Sequence, residues 1–224
     1  MKFSSKKIAA CDKEIDTLLC KSVKEKKASI DTVKPLKTEI KRRKKKNKNA
    51  PAINLRCICM ELANGVDLYE IEGVSDATVL TLLSETSFDL SKFPSAKHFT
   101  SWLALSPNNK ISGGKILSSH LSHHSNRLAQ ALRCAANSIG NMKTGALNQF
   151  FRRIAYRYGR MAAITATARK LAVIIYNMLT KHQPYRYEES ATYTERLRKL
   201  QLKNMRRKII ALNIKPEELQ FAFP

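Results

Sequence analysis

The residues around Ser112 combine a nucleophile with glycines and cations. A serine that attacks a phosphodiester needs an exposed hydroxyl, close approach of the nucleic-acid backbone and positive charge near the phosphorus. Gly113 and Gly114 leave room for a DNA backbone, and Lys110 and Lys115 offer positive charge. The same residue types are typical of a loop that is merely flexible, so the spacing leaves both interpretations open. A P-loop is excluded because the pattern Gly-x4-Gly-Lys-Ser/Thr is absent from the sequence.

Histidine and cysteine side chains offer a second kind of chemistry, metal binding or proton transfer. His120, His123 and His124 follow the serine, but no acidic or cysteine neighbour completes a metal ligand set. A solvent-facing loop that contacts phosphate is therefore the favoured role. Cys57 and Cys59 lack a second pair at zinc-ligand spacing. The sequence predicts no metal site.

Segment 106–125, which holds these candidates, is rich in turn formers and has no regular hydrophobic period. We predict a long loop between helices, and loops of this length are usually functional or disordered. Upstream, residues 53–105 predict a helix, a turn, a helix, a loop and a third helix. The last of these contains Phe99, Trp102 and Leu103, which we expect in the core.

Three helices are predicted downstream from apolar residues spaced three and four apart. Their apolar positions are Leu128, Leu132, Ala135 and Ile139 in the first, Leu147, Phe150, Ile154 and Tyr158 in the second, and Met161, Ile164, Ala168, Leu171, Ile175 and Met178 in the third. Ser125 is the expected cap of the first. A last, basic amphipathic helix is predicted over residues 193–213, and its apolar face comprises Leu202, Met205, Ile209 and Leu212.

The turn Ile71-Glu72-Gly73-Val74 separates two of the upstream helices, and Ser75 is placed to cap the second. This order resembles a helix-hairpin-helix, whose turn amides commonly hold a DNA phosphate. Acidic residues crowd the same turn, however, and carboxylates repel phosphate. They are Glu70, Glu72 and Asp76. A structural turn is favoured, and a DNA-contacting turn is the alternative.

The N-terminal residues 5–46 predict a long polar helix that is interrupted at Pro35. Its narrow apolar seam suits a partner helix, which predicts a homo-oligomer or pairing with a full-length relative. The seam comprises Ile8, Cys11, Ile15 and Leu18. A basic run over residues 41–46 then leads into a linker.

The chain of 224 residues carries 41 Lys and Arg against 18 Asp and Glu, a net charge of +23. Residues 21–48 hold thirteen Lys and Arg and three acids, whereas residues 57–91 hold seven acids and no Lys or Arg. Residues 195–208 are basic again, with seven Lys and Arg and one acid. Positive charge at both ends favours nucleic-acid binding because neutralised phosphates release counterions. A solubility tail is the alternative.

Composition also bounds the protein class. Hydrophobic residues make up 43% of the chain, which is enough for a core and argues against a fully disordered tail. No apolar run approaches the about 18 residues that cross a bilayer, and no signal peptide is evident. The five cysteines are scattered and odd in number, as in reduced cytosolic proteins. We expect a cytoplasmic, nucleoid-associated protein with no membrane partner.

Several ordered blocks within residues 66–187 form a recognisable series. Besides residues 71–74, they are Lys92-Phe93, Leu105 through Lys115, Ala129 through Asn137, Phe150 through Ala155, and Ile164 through Ala172. Together they resemble the C-terminal part of transposases of the insertion-sequence one-ten family, which is also named for the one-sixteen and nine-oh-two elements. Their order and separation make the resemblance more specific than any one block.

The resemblance implies a recombinase in which the helical domain supplies a serine nucleophile, corresponding to Ser112. That serine would attack a DNA phosphodiester, form a covalent protein–DNA link and pass the strand to a new end. Magnesium is expected only in a separate RuvC-like half, and the expected partners are DNA and a guide RNA from the same element. The expected nucleic-acid-binding residues are Lys110, Gly113, Gly114, Lys115, Arg127, Arg133, Arg152, Arg153, Arg169 and Lys170.

The expected fold is mostly α-helical. A basic linker helix and flexible run occupy residues 1–51, a helical transposase domain residues 52–187, and a basic C-terminal helix residues 188–224. The RuvC-like half is missing at the front, so we expect a truncated chain that is inactive alone, or one that acts in trans with that half. The alternatives are a non-catalytic helical nucleic-acid-binding module and a ribosome-associated protein, and the latter explains the charge but not the ordered blocks.

Overall fold

The computed structural model describes residues 2–28, 54–121, 126–186 and 190–213. Within these ranges seven α-helices accompany one β-hairpin. They are α1 (Lys2–Ala28), α2 (Leu55–Leu62), α3 (Asp76–Thr86), α4 (Ala96–Trp102), β1 (Pro107–Ser112), β2 (Lys115–Leu121), α5 (Arg127–Gly140), α6 (Ala146–Lys181) and α7 (Ser190–Ala211). A short 3-10 helix, Leu68–Glu70, precedes α3. The mostly helical fold class predicted from the sequence is confirmed.

Helix α5 lies at the centre of the fold, between α3 and α6. All four of its predicted core residues are buried: Leu128, Leu132, Ala135 and Ile139. Helix α4 packs on α6 as well, where the Tyr176 hydroxyl donates to the carbonyl oxygen of Phe93 over 2.7 Å. The buried Phe99 ring lies between the rings of Phe93 and Tyr176, as its predicted core position requires. The core therefore forms around α5 and the C-terminal part of α6.

Helix α6 contains both of the last two predicted core helices, separated by a break at Gly159. The backbone there has φ 84° and ψ 167°, a conformation that is essentially confined to glycine. The predicted stripe is correct for Leu171 and Ile175, which are buried, but wrong for Tyr158 and Met161, which are exposed. The reason is geometric, because a break interrupts the helical period that places apolar residues on one face.

By length and composition, α6 is long and apolar enough to cross a membrane, which the sequence had not led us to expect. Half of its apolar window is buried inside the protein. Such burial is expected where one face of a helix packs in a protein core.

The two terminal helices contact the rest of the fold near one end. In α1 the packed positions are Leu19, which is buried, and Ile15 and Val23, which pack against the core. These positions are four residues apart, and they include Ile15 of the predicted seam, whereas Ile8 and Leu18 of that seam are exposed. Helix α7 contacts α6, and the predicted apolar face of α7 is largely exposed. Pro35, the basic run over 41–46 and both predicted domain boundaries lie outside the described residues.

The predicted loop over residues 106–125 is wrong, because most of it forms a β-hairpin. Strands β1 and β2 pair antiparallel, from Pro107 opposite Leu121 to Ser112 opposite Lys115. Gly113 and Gly114 form the two-residue turn, with φ of 56° and 75°. Two central residues with positive φ suit the twist of paired strands, and glycine adopts that conformation without strain. A glycine pair between two short runs is a hairpin signal in the sequence itself.

The start of α5 differs from the prediction in one residue. Asn126, and not Ser125, precedes the helix, and its side-chain oxygen accepts from the amide of Ala129 over 3.0 Å. Ser125 lies outside the described residues, as do His123 and His124. The hairpin and α5 are thus joined by a short connection that ends in a helix cap.

Candidate nucleic-acid interface

Ser112 is the last residue of β1 and lies at the tip of the hairpin. It pairs with Lys115 across the glycine turn, and both residues are exposed. A Cβ added at Gly113 or Gly114 would meet nothing within 4 Å. The serine hydroxyl therefore belongs to an open surface, and the amides next to it are accessible to a large ligand.

The hairpin as a whole is poorly supported by the core. Every residue of β1 is exposed, and the apolar side chains of Ile111 and Leu117 are exposed as well. The base of β1 is held more firmly, because the Ser106 hydroxyl donates to Thr100 of α4 over 3.0 Å. An isolated two-stranded hairpin is marginally stable in water. This arrangement combines a fixed base with a tip that a bound partner can stabilise.

The sequence on both sides of the hairpin carries charge of one sign. Residues 90–187 contain fifteen Lys and Arg and no Asp or Glu. This segment runs from the end of the α3 region through the hairpin, α5 and α6. Cations attract phosphate, and no carboxylate within this segment offsets their charge. The acid-free segment is a functional signal that the sequence analysis missed.

Two arginines of α5 continue this basic surface. Arg127 is the first residue of the helix and is exposed, while Arg133 is half-buried. Neither makes a hydrogen bond or ion pair with another residue in the described part of the chain. Arg127 follows the hairpin closely in sequence and is therefore the better placed of the two for a shared ligand.

The predicted cations of α6 are partly engaged within the protein. Arg152 donates to the carbonyl oxygen of Met142 over 3.3 Å, and the Arg153 guanidinium lies 5.5 Å from the centre of the Phe150 ring. Both arginines remain exposed. The Lys170 ammonium lies 4.6 Å from the centre of the same ring. Arg152 and Arg153 can therefore contact phosphate, whereas Lys170 and the half-buried Arg169 also serve the packing.

The turn at Gly73 differs from the hairpin tip because it is packed. Gly73 has φ 78°, and a Cβ added there would lie 2.7 Å from Cγ1 of Ile139. The neighbouring Glu72 carboxylate lies against Gly145, at the start of α6. Burial raises the pKa of Glu72, and its Oε2 has no hydrogen-bond partner among the described residues. Ser75 occupies the cap position of α3 without a side-chain bond to the backbone. These contacts support the structural role of the turn.

Metal-binding and thiol chemistry find little support in the described residues. No three His, Cys, Asp or Glu side chains there are grouped so that they could hold a metal ion. Burial, with the Asp76 carboxylate nearby, raises the pKa of the Cys59 thiol to about 12. A thiol with such a pKa is protonated at neutral pH and is a weak nucleophile.

Comparison with protein-family models identified one domain. Residues 67–152 match the model described as Transposase IS116/IS110/IS902 family. The matched segment covers less than half of the chain and contains the turn at Gly73, the whole β-hairpin and α5. Comparisons with curated proteins and with solved structures gave no match.

Proposed function

We propose that Ser112 carries out the strand attack of DNA transposition. Residues 67–152 are a Transposase IS116/IS110/IS902 domain, which implies DNA binding and a role in DNA transposition. The observation that carries this proposal is the position of Ser112. Ser112 is exposed at the tip of a hairpin, opposite Lys115 and beside two glycines, which have no side chains. A duplex backbone can approach such a tip without displacing any part of the core.

The proposed step exchanges one phosphodiester for another. Oγ of Ser112 forms a bond to phosphorus while the bond from phosphorus to a bridging sugar oxygen breaks. The serine proton leaves to water, and the released sugar oxygen takes up a proton from water. The product is a covalent serine–DNA phosphodiester, which a new DNA end can attack in turn. Because the number of ester bonds is conserved, the step needs no external energy source.

Positive charge supports the transition state of this step. Negative charge grows on the phosphoryl oxygens as the serine attacks, and nearby cations and amides stabilise it. Lys115 lies opposite Ser112, and Lys110 lies on the same strand. Arg127, Arg133, Arg152 and Arg153 would hold the flanking backbone by phosphate contacts, which position DNA without reading its sequence.

The magnesium that the resemblance implies has no ligand set in the described residues. We therefore propose that a RuvC-like acidic half completes the reaction, and that residues 1–224 without that half recombine little or no DNA. A guide RNA and a homo-oligomer formed through α1 remain part of this proposal. The exposed Ile8 and Leu18 of α1 offer an apolar surface to such a partner helix.

The decisive experiment looks for the covalent intermediate. The full chain, an intact RuvC-like half and magnesium are incubated with end-labelled DNA that flanks this gene, and the products are separated on a denaturing gel. The proposal predicts a labelled protein–DNA adduct that Ser112→Ala abolishes. Ser119→Ala is the matched control, because Ser119 is an exposed serine on the same hairpin and should leave the adduct intact.

Two results would contradict the proposal. One is an adduct that persists in Ser112→Ala, which would place the nucleophile elsewhere. The other is the absence of any adduct with the native chain while the same RuvC-like half gives an adduct with the C-terminal domain of an active relative. DNA binding by each variant is measured in parallel, so that loss of binding is not mistaken for loss of chemistry.

A second candidate function is a non-catalytic nucleic-acid-binding module. The observation that favours it is the acid-free segment 90–187, which attracts phosphate whether or not Ser112 reacts. In that case no adduct forms, and Ser112→Ala binds DNA as tightly as the native chain does. Both functions require that the affinity falls steeply with salt.

A further inference from the structure

Tyr156 is an aromatic side chain that the protein leaves almost wholly in solvent. It lies on α6 before the break at Gly159, outside the family match, and its relative exposure is 94%. Large aromatic side chains are usually at least partly buried, because their burial contributes strongly to stability. An exposed ring on a rigid helix therefore needs an explanation other than packing.

The break at Gly159 separates Tyr156 from the part of α6 that follows it. In a regular helix, residue 160 would lie beside residue 156, one turn further along. Arg160 instead donates to Asn137 over 2.6 Å and to Asn141 over 2.8 Å, both near the end of α5. Arg160 is thus held at the end of α5, where its guanidinium lies over the ring of Phe151 and not over that of Tyr156.

The neighbours of Tyr156 on the helix are cations. Arg152 and Arg153 lie four and three residues earlier, which places them on the same face, and both are exposed. Their positions are constrained, because Arg152 donates to Met142 and Arg153 lies over Phe150. Arg157 is adjacent in sequence, and among the described residues it has no partner. No carboxylate occurs in this segment to neutralise these arginines.

Other rings of α6 show what distinguishes Tyr156. The Phe150 ring has the Arg153 and Lys170 cations over it, and the Phe151 ring has Arg160. The ring of Tyr156 makes no ring contact with any described residue. It is therefore free to accept an external planar group, in surroundings that favour an anion.

We propose that Tyr156, with Arg152, Arg153 and Arg157, forms a stacking site for an unpaired base of a single-stranded nucleic acid. The base stacks on the tyrosine ring, and the arginines contact the phosphates on either side. Aromatic stacking combined with backbone cations is the general mode of single-strand binding. A base paired within a duplex cannot present its face to the ring, so the site selects unpaired strands. The inference takes its ligand class, nucleic acid, from the proposed function.

The test compares affinities of full-length variants for labelled oligonucleotides of about 20 nucleotides, a length that covers typical single-strand sites. The probes are single-stranded DNA, RNA of the same sequence, and the corresponding DNA duplex, measured by fluorescence anisotropy. Tyr156→Ala should weaken single-strand binding by about fivefold or more, and duplex binding by less than about twofold. Tyr156→Phe keeps the ring and should bind like the native chain.

Tyr158→Ala is the matched control. Tyr158 is also exposed and near the break, but its helical neighbours three and four residues earlier are Ala155 and Ile154. It should lose little single-strand affinity. Arg157→Gln should instead lower the salt dependence of binding by about 0.7 in the slope of log K against log salt. Whichever of the single-stranded DNA and RNA probes binds more tightly shows which nucleic acid the site prefers.

Three results would overturn the inference. The first is unchanged single-strand affinity in Tyr156→Ala with an unchanged circular dichroism spectrum. The second is an equal loss for single strand and duplex. The third is a change in oligomeric mass without a change in binding, which would make this surface a protein interface. The Ser112 adduct does not depend on Tyr156, so either proposal can fail while the other stands.

Discussion

The turn at Gly73 and the turn at Gly113-Gly114 use glycine for different reasons. Gly73 packs against α5, where an added Cβ would lie 2.7 Å from Ile139 and 2.9 Å from the carbonyl oxygen of Ala135. An added Cβ at Gly113 or Gly114 would meet nothing within 4 Å. Both turns have positive φ, so backbone conformation alone does not separate them. The surroundings of each turn distinguish them.

The comparison shows how two similar sequence signals lead to different roles. Both turns suggested phosphate contact when only the sequence was considered. The first is crowded by acidic residues and built into the core, so it serves the packing of α3 on α5. The second projects from the fold among cations, so it is open to a phosphate backbone. Accessibility and local charge, rather than glycine content, separate a binding turn from a structural one.

The largest expected effect is that of Gly73→Ala on stability. The new methyl group overlaps α5, and alanine is strained at φ 78°. We expect the free energy of unfolding to fall by about 3 kcal/mol, measured by chemical denaturation. Gly113→Ala is the control, and it should lower that free energy by only about 1 kcal/mol, because alanine is strained at φ 56° there but meets nothing within 4 Å. Equal losses in the two variants would remove the distinction between the turns.

A smaller effect, on DNA binding, is expected when positive charge is removed from the open turn. Lys110→Gln combined with Lys115→Gln removes two potential phosphate contacts from the hairpin. The slope of log K against log salt for duplex binding should fall in magnitude by about 1.8, and the affinity should fall several-fold at physiological salt. The control is Lys92→Gln with Lys97→Gln, two exposed lysines outside the hairpin. If both pairs lower the slope equally, the hairpin has no special role in binding.

The smallest effect is expected for Glu72 in the packed turn, and it is an effect of pH on stability. Burial raises the pKa of Glu72, so the folded protein holds that proton to a higher pH than the unfolded chain does. This contribution to stability is lost as the pH rises through the folded-state pKa. Glu72→Gln should therefore remove this part of the fall in stability with rising pH. The variant should be slightly more stable than the native chain at pH 7. Thermal unfolding between pH 4 and pH 8, with Glu70→Gln as the exposed control, measures it.

A steeper decline with pH in Glu72→Gln would show that the ionised carboxylate stabilises the turn. The start of α6 beside the carboxylate would explain that stabilisation, because helix N-termini favour negative charge.

The sequence predicted those features that depend on local periodicity. The apolar spacing of Leu128 and Ile139 predicted α5, and both residues are buried. The prediction of a loop over residues 106–125 is wrong, because turn formers also occur in hairpins, and a glycine pair between short runs is a hairpin signal. The apolar periodicity also predicted burial of Tyr158 and Met161, which are exposed because Gly159 interrupts the helix between them. Apolar spacing does not show where the backbone stops being helical.

By itself, the sequence determined the helical class, the positive charge and the ordered blocks that identify the transposase domain, since all three are properties of residue order. Only the tertiary structure decided which surfaces are available. It packed Gly73 against α5, left Ser112 at an open tip and left Tyr156 exposed before the break at Gly159. The physical reason is that exposure depends on contacts between residues far apart in the chain, which a local pattern does not contain.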